Sequence, residues 1–157
     1  MVYKNIVDQS IFIATSGKVP VEPTSPDRKA TLSRQYFSSA PGQPFSDAVL
    51  IDGKTLYLAG RIGLKPGMQQ VPETIEEETT LLMEGLIKLL GQASMSTANL
   101  TFVQVFCPDV SLWDRFNAIY AKYFTGPLPP RAFVGSGALL FGAHFELQGI
   151  AVHEQTE

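Results

Sequence analysis

The stretch "GPLPPRAFVGSG" (residues 126–137) sets an arginine, Arg131, directly after two prolines and at the start of a run that reads as a β-strand. A guanidinium offers a fixed planar fork of donors that matches a carboxylate or a phosphate. Placed where a stiff loop meets a sheet, it is well set to grip an anion. Fifteen residues on stands Glu146, in a second strand-like run, and the Gly-rich turn between them would bring cation and carboxylate onto one cleft. The plain alternative is a partly exposed ion pair, worth at most about 1 kcal/mol. Asn117 and Tyr120, one helical turn apart in "RFNAIYAKYF", would present an amide and a hydroxyl toward the same end of the sheet, or would be ordinary helix surface.

Composition removes several other chemistries. Net charge is −3, with 12 basic residues scattered among 15 acidic ones. No basic run or aromatic-basic stripe is present to track a phosphate backbone, so no nucleic-acid partner is expected. The single cysteine, Cys107, excludes an internal disulfide and a multi-cysteine metal site, and in "FVQVFCPD" it reads as a half-buried structural thiol. His144 and His153 show no metal-ligand spacing, so neither metal nor cofactor is expected. No apolar run approaches the roughly 20 residues that span a bilayer. The N-terminal "SIFIATSG" is too short and too polar for a good signal peptide. A soluble, cytoplasmic protein without a membrane partner is the expectation.

At 157 residues the chain has the length of one domain, with room for a tail. Residues 18–33 hold three prolines among small polar and charged residues and have no apolar period; residues 1–33 therefore read as an N-terminal arm, with a strand or an ordered tail in 1–17, and 34–157 as a single domain. "DAVLIDGKTLYLAG" gives strands at about 47–51 and 55–60 joined by an Asp-Gly hairpin turn. Ile75, Leu82, Leu86, Leu89 and Leu90 recur at helical spacing and predict a helix over 74–93. Its acidic start, Glu76 to Glu78, reads as a solvated first turn. A strand in "LTFVQVFCPD" follows, then a helix capped by Ser111 with Leu112, Phe116, Ile119 and Tyr123 as its packing stripe, and strands near 131–136 and 143–152. The order β-β-α-β-α-β-β predicts an α+β fold, a mixed sheet with both helices on one face. In the last strand Ala143, Phe145, Leu147 and Ala151 alternate with His144, Glu146 and Gln148, and the second face turns apolar again at Ile150 and Val152. A half-polar, half-apolar face opposite the helices suggests an oligomer interface with a cleft in it.

In order and spacing, "APGQPFSDAVLIDGKTLYLAG", the acidic helix, "LTFVQVFCPDVSLWDRFNAIYAKYF", "PPRAFV" and "FELQGIAV" closely resemble the Rid (YjgF) family of reactive-intermediate deaminases over residues 44–152. The resemblance implies a chorismate-mutase-like fold and a homotrimer with sites between subunits. It implies that Arg131 binds a substrate carboxylate and that Glu146 orients or activates water. Asn117 and Tyr120 would line the pocket from the helix, Gly60 would give backbone access, and the Phe133 backbone would approach the substrate nitrogen. The reaction implied is hydrolysis of a small enamine or imine of a 2-amino acid to a 2-keto acid and ammonia, without a cofactor.

Three places depart from the family's pattern, one of them the segment before the last strand, where Leu-Pro is usual and this chain has "GSGALLFGAHF". Phe45 stands where a pocket tyrosine is usual, and "AGR" replaces Ser-Gly-Gln, so that Arg61 would add a second positive charge. Arginine beside an apolar wall suits a dicarboxylate of the aminomuconate type. Loss of the hydroxyl favours a non-catalytic metabolite-binding or partner-binding trimer. The endoribonuclease label often attached to the family finds neither a basic patch nor a histidine pair here.

Overall fold

The computed structural model describes residues 31–38 and 41–154. Except for 31–33, the arm expected over 1–33, with its strand in 1–17, lies outside the described residues. The described chain folds as β1 (Arg34–Phe37), β2 (Ala48–Ile51), β3 (Thr55–Ile62), α1 (Ile75–Gln92), β4 (Leu100–Cys107), α2 (Trp113–Tyr120), β5 (Arg131–Gly135) and β6 (Glu146–Val152). These strands form one sheet in the order β1-β2-β3-β6-β4-β5, antiparallel throughout except for the parallel pair β4 and β5. Each helix carries the chain between two parallel strands, the connection that parallel strands require. Between β3 and β4 the helix leaves a gap one strand wide, and β6 fills it.

The expected α+β fold stands, with one strand more than the sequence predicts. β1 extends the hairpin by pairing Tyr36 with Val49. The Asp-Gly turn forms as its chemistry demands, Asp52 and Gly53 both at positive φ (50° and 63°). Three residues, not two, separate the paired Ile51 and Thr55. α1 is capped by Thr74, whose side chain accepts from the Glu77 N–H, and the predicted stripe Ile75, Leu82, Leu86, Leu89 and Leu90 is buried. Facing it, Leu56, Val103, Val105, Leu147 and Ala151 complete the core.

Three local expectations are corrected. The second helix is entered through a short 3-10 turn capped by Asp109, which accepts from the Ser111 N–H, so Ser111 is not the cap. The last strand starts at Glu146, and Ala143 to Phe145 lead into it. The acidic first turn of α1 is not wholly solvated. Glu78 is fully buried, and its carboxylate accepts from the N–H groups of His144 (2.7 Å) and Phe145 (3.1 Å) and meets the His144 ring Nδ1 at 2.7 Å. A buried carboxylate is tolerated because its oxygens are satisfied. Here it ties the start of α1 to the residues that lead into β6.

Candidate active site

Arg131 opens the edge strand β5, and the proline loop before it is tied to β4 by the Val103 N–H donating to the Pro130 carbonyl (3.1 Å). α2 crosses above. Trp113, Phe116, Asn117 and Tyr120 recur at helical spacing and turn toward the arginine. The Arg131 guanidinium carbon lies 4.8, 5.4, 4.5 and 5.8 Å from the ring centres of Trp113, Phe116, Tyr120 and Phe133. Aromatic faces attract a cation, so the rings hold the group in place. Its Nη2 donates to Asn117 Oδ1 at 2.6 Å, which fixes the plane of the fork. Among the described residues no carboxylate lies within ion-pair distance of Arg131. Burial lowers its pKa and the neighbouring Tyr120 opposes the shift. Burial also pushes the Tyr120 phenol up, against the pull of the Arg131 charge.

A second cluster surrounds Glu146. Gly60 lies beside it, and a Cβ there would overlap Glu146 Oε1. Glycine is therefore what lets the carboxylate lie against β3. Among the described residues Glu146 takes part in no side-chain hydrogen bond or ion pair. Together they border a cavity of about 420 Å³ with Gln43, Phe45, Asp47, Leu64, Leu140 and Phe141. Although Arg61 also borders the cavity, it pairs with Leu147 in register and so faces the helices. Its Nη1 comes within 2.8 Å of where a Cβ on Gly85 of α1 would sit. Burial lowers the Arg61 pKa, and the charge of Asp47 opposes this. The second cation expected beside the substrate is thus directed beneath α1.

Spacing alone would let Arg131 and Glu146 converge on one cleft within the chain, whereas the family resemblance implies sites between subunits; within this chain the two stay apart. β5 and β6 flank β4, with Arg131 in register with Val103 and Glu146 with Phe106. Two strand spacings sideways and three residues along put their Cα atoms about 14 Å apart. Arg131 points to the helices, whereas Glu146 alternates with the core residue Leu147 and points to the opposite face. The chain therefore carries two half-sites. Asn117, Tyr120 and Phe133 accompany Arg131; Phe45, Gly60 and the border of the cavity accompany Glu146. Among the described residues two buried polar side-chain atoms lack a hydrogen bond of good geometry, Gln43 Oε1 beside Glu146 and Tyr120 Oη, which still lies close enough to the Arg131 guanidinium to interact with it. Such atoms cost about 1–3 kcal/mol and call for a functional explanation.

Trp113, Leu140 and Phe141 were missed. The i, i+3, i+7 spacing of Trp113, Phe116 and Tyr120 would have found the first; no periodicity marks the turn that holds the other two. Cys107 is buried, its Sγ–H donates to the Asp109 carbonyl (3.0 Å), and burial raises its pKa, which fits a structural thiol.

These features define a small α+β protein with a part-buried arginine, held by Asn117 and aromatic rings, at one sheet edge and an uncommitted carboxylate on the sheet's open face. The family described as Endoribonuclease L-PSP matches residues 37–153, and the chain belongs to it. It is 36% identical over 109 residues to the 2-iminobutanoate/2-iminopropanoate deaminase of Rattus norvegicus, covering 69% of this chain and 79% of the relative. Among solved structures, the Rid-family protein YyfA of Yersinia pestis superposes with TM-score 0.71 at 29% identity over 77% of this chain and all of its own. Yeast Mmf1 superposes with TM-score 0.72 at 25% identity over 78% of this chain and its full length. The resemblance to Rid proteins read from the motifs is borne out.

Proposed function

We propose that this protein is an imine deaminase, hydrolysing enamines or imines of 2-amino acids to 2-keto acids and ammonia. The observation that carries the reading is Arg131, a part-buried guanidinium oriented by Asn117 and four rings and lacking a carboxylate partner among the described residues. It would take the substrate carboxylate. Glu146, equally uncommitted, would accept a proton from water as that water adds to the imine carbon; the carbinolamine then loses ammonia and leaves the keto acid. Such imines hydrolyse unaided, so orientation supplies most of what is needed.

Because the half-sites lie on opposite faces of one sheet, the complete site would form where Arg131 of one copy meets Glu146 of another. The open sheet face supports this arrangement. Tyr36, Val49, Tyr57, Ile150 and Phe102 are paired in register from strand to strand and form an apolar row across five strands, with Tyr36, Tyr57 and Phe102 exposed. A contiguous apolar face of this kind marks an association surface. The assembly proposed is a cytoplasmic homotrimer that uses neither metal nor cofactor and acts on a carboxylate-bearing small molecule. With Arg61 directed at α1, its position gives a dicarboxylate substrate little support.

The test is keto-acid and ammonia release from 2-iminopropanoate and 2-iminobutanoate generated in place. Arg131→Ala should raise KM by about 10- to 100-fold, the loss of a charge-assisted pair. Glu146→Gln should lower kcat by about 10²-fold or more. Wild-type protein that hydrolyses neither imine, or cleaves RNA instead, would sink the proposal.

A further inference from the structure

The cavity beside Glu146 has a mixed lining, with Gln43, Asp47, Arg61 and Gln69 as further polar residues and an apolar group that includes two residues of one exposed turn. Glu146 lies against Gly60, and Phe45, Leu64, Leu140 and Phe141 supply apolar wall. Leu140 and Phe141 are 71% and 44% exposed, and Phe45 is 55% exposed, so this wall is not core that happens to border a gap. Phe141 sits in the left-handed region (φ 57°, ψ 21°), followed by Gly142 at φ 69°. A bulky residue is disfavoured there, and such strain persists where the surrounding structure enforces it, commonly at binding sites. The Ala143 N–H donating to the Leu140 carbonyl (3.1 Å) closes the turn that holds it. What the strained turn delivers is an aromatic ring on the cavity wall.

A volume of about 420 Å³ falls within the range of pockets that enclose drug-sized ligands. We propose that this protein prefers 2-imino acids with long apolar or aromatic side chains, the kind an amino-acid oxidase releases from phenylalanine or leucine, and that Phe141 and Leu140 set that preference. The proposal rests on the deaminase reading above. The imine carbon lies at Glu146, and the side chain runs along Phe45, Leu64 and the 140–141 turn. Water adds its oxygen to the imine carbon, the C=N electron pair goes to nitrogen with a proton, and cleavage of the C–N bond releases ammonia and the aryl- or alkyl-substituted keto acid. No oxidant or reductant is consumed.

The test compares kcat/KM for imines generated by an amino-acid oxidase from phenylalanine and from alanine, following the decay of the imine trapped as its semicarbazone. Each added methylene that finds an apolar wall is worth about 10-fold or more in discrimination, so wild type should favour the phenylalanine-derived imine by at least about 10-fold. F141G removes the ring and places in the left-handed position the residue that best tolerates it, so the turn survives. It should collapse that ratio, and L140A should reduce it. Equal or better hydrolysis of the alanine-derived imine overturns the inference and leaves the deaminase reading standing. So does an F141G protein that keeps its selectivity, or one that changes subunit number instead. Hydrolysis of neither imine removes both.

Discussion

The Glu146 carboxylate occupies the space in which a side chain at position 60 would begin, so the two residues cannot be varied independently. Gly60→Ala should push the carboxylate out of the cavity. Glu146 is only partly buried and has room to swing, so the fold should survive while the aligned proton acceptor is lost. The expected outcome is a drop in kcat/KM of about 10²-fold, the worth of a positioned acid-base group, with a thermal midpoint close to wild type. Wild-type turnover in Gly60→Ala would show that Glu146 does not work from this position. Arg131 and Glu146 were legible as a pair only through spacing and resemblance. Their opposite orientations were not, because "RAFVG" has no apolar alternation to tell one face of β5 from the other. Glu78 was misread for a related reason. An acid in the first turn of a helix has an adequate explanation in the helix dipole, and only the tertiary fold reveals the two backbone N–H groups that require it.

At the scale of elements, α1, α2 and the central strands were legible because each buries one regular stripe. β1 was not: of its four residues only Phe37 is buried, so its sequence has no alternation to read. Packing of the helices on each other shows in a contact that neither pattern predicts. Arg115 of α2 donates from Nε and Nη2 to the two carboxylate oxygens of Glu76 of α1, both at 2.8 Å. The Arg115 hydrogen bonds depress the Glu76 pKa to about 2 from 4.5. A carboxyl whose folded pKa lies below its unfolded value adds stability above the unfolded pKa and loses it as pH falls toward the folded one. Wild type should therefore melt slightly above Arg115→Gln at pH 7, and the gap should close between pH 4.5 and about pH 2. Because the pair is exposed, the gap should also shrink with salt. A gap that persists unchanged at pH 2 would mean that Arg115 stabilises the helix pair by packing and not by charge.

At the scale of the whole molecule, the position of β6 decides how the site can be built. Inserted between β3 and β4, it sets Glu146 on the open face, while β5 at the sheet edge keeps Arg131 under α2. No side-chain motion carries one to the other through a hydrogen-bonded sheet, so within one chain Arg131 and Glu146 stay apart. The apolar row from Tyr36 to Phe102 gives a second copy a surface on which to supply the missing half. In a closed ring of identical subunits each site would take Arg131 from one copy and Glu146 from its neighbour. Arg131→Ala protein, weakened in substrate binding, and Glu146→Gln protein, slowed in turnover, should then complement one another when co-expressed or refolded together and assayed at substrate well below the Arg131→Ala KM. With random assembly from equal amounts, about one site in four receives both intact residues, so about a quarter of wild-type activity should return. Placing both substitutions in one chain and reassembling it with an equal amount of wild type should lower activity to about half of the wild-type share, because a site then needs two wild-type neighbours. Tyr57→Asp, which puts a charge in the middle of the apolar row, should abolish complementation together with the subunit contact, read as a fall in mass by light scattering. Mixed single variants that gain no activity while their mass remains that of the wild-type assembly would place both residues' work within one chain, against the geometry of this sheet.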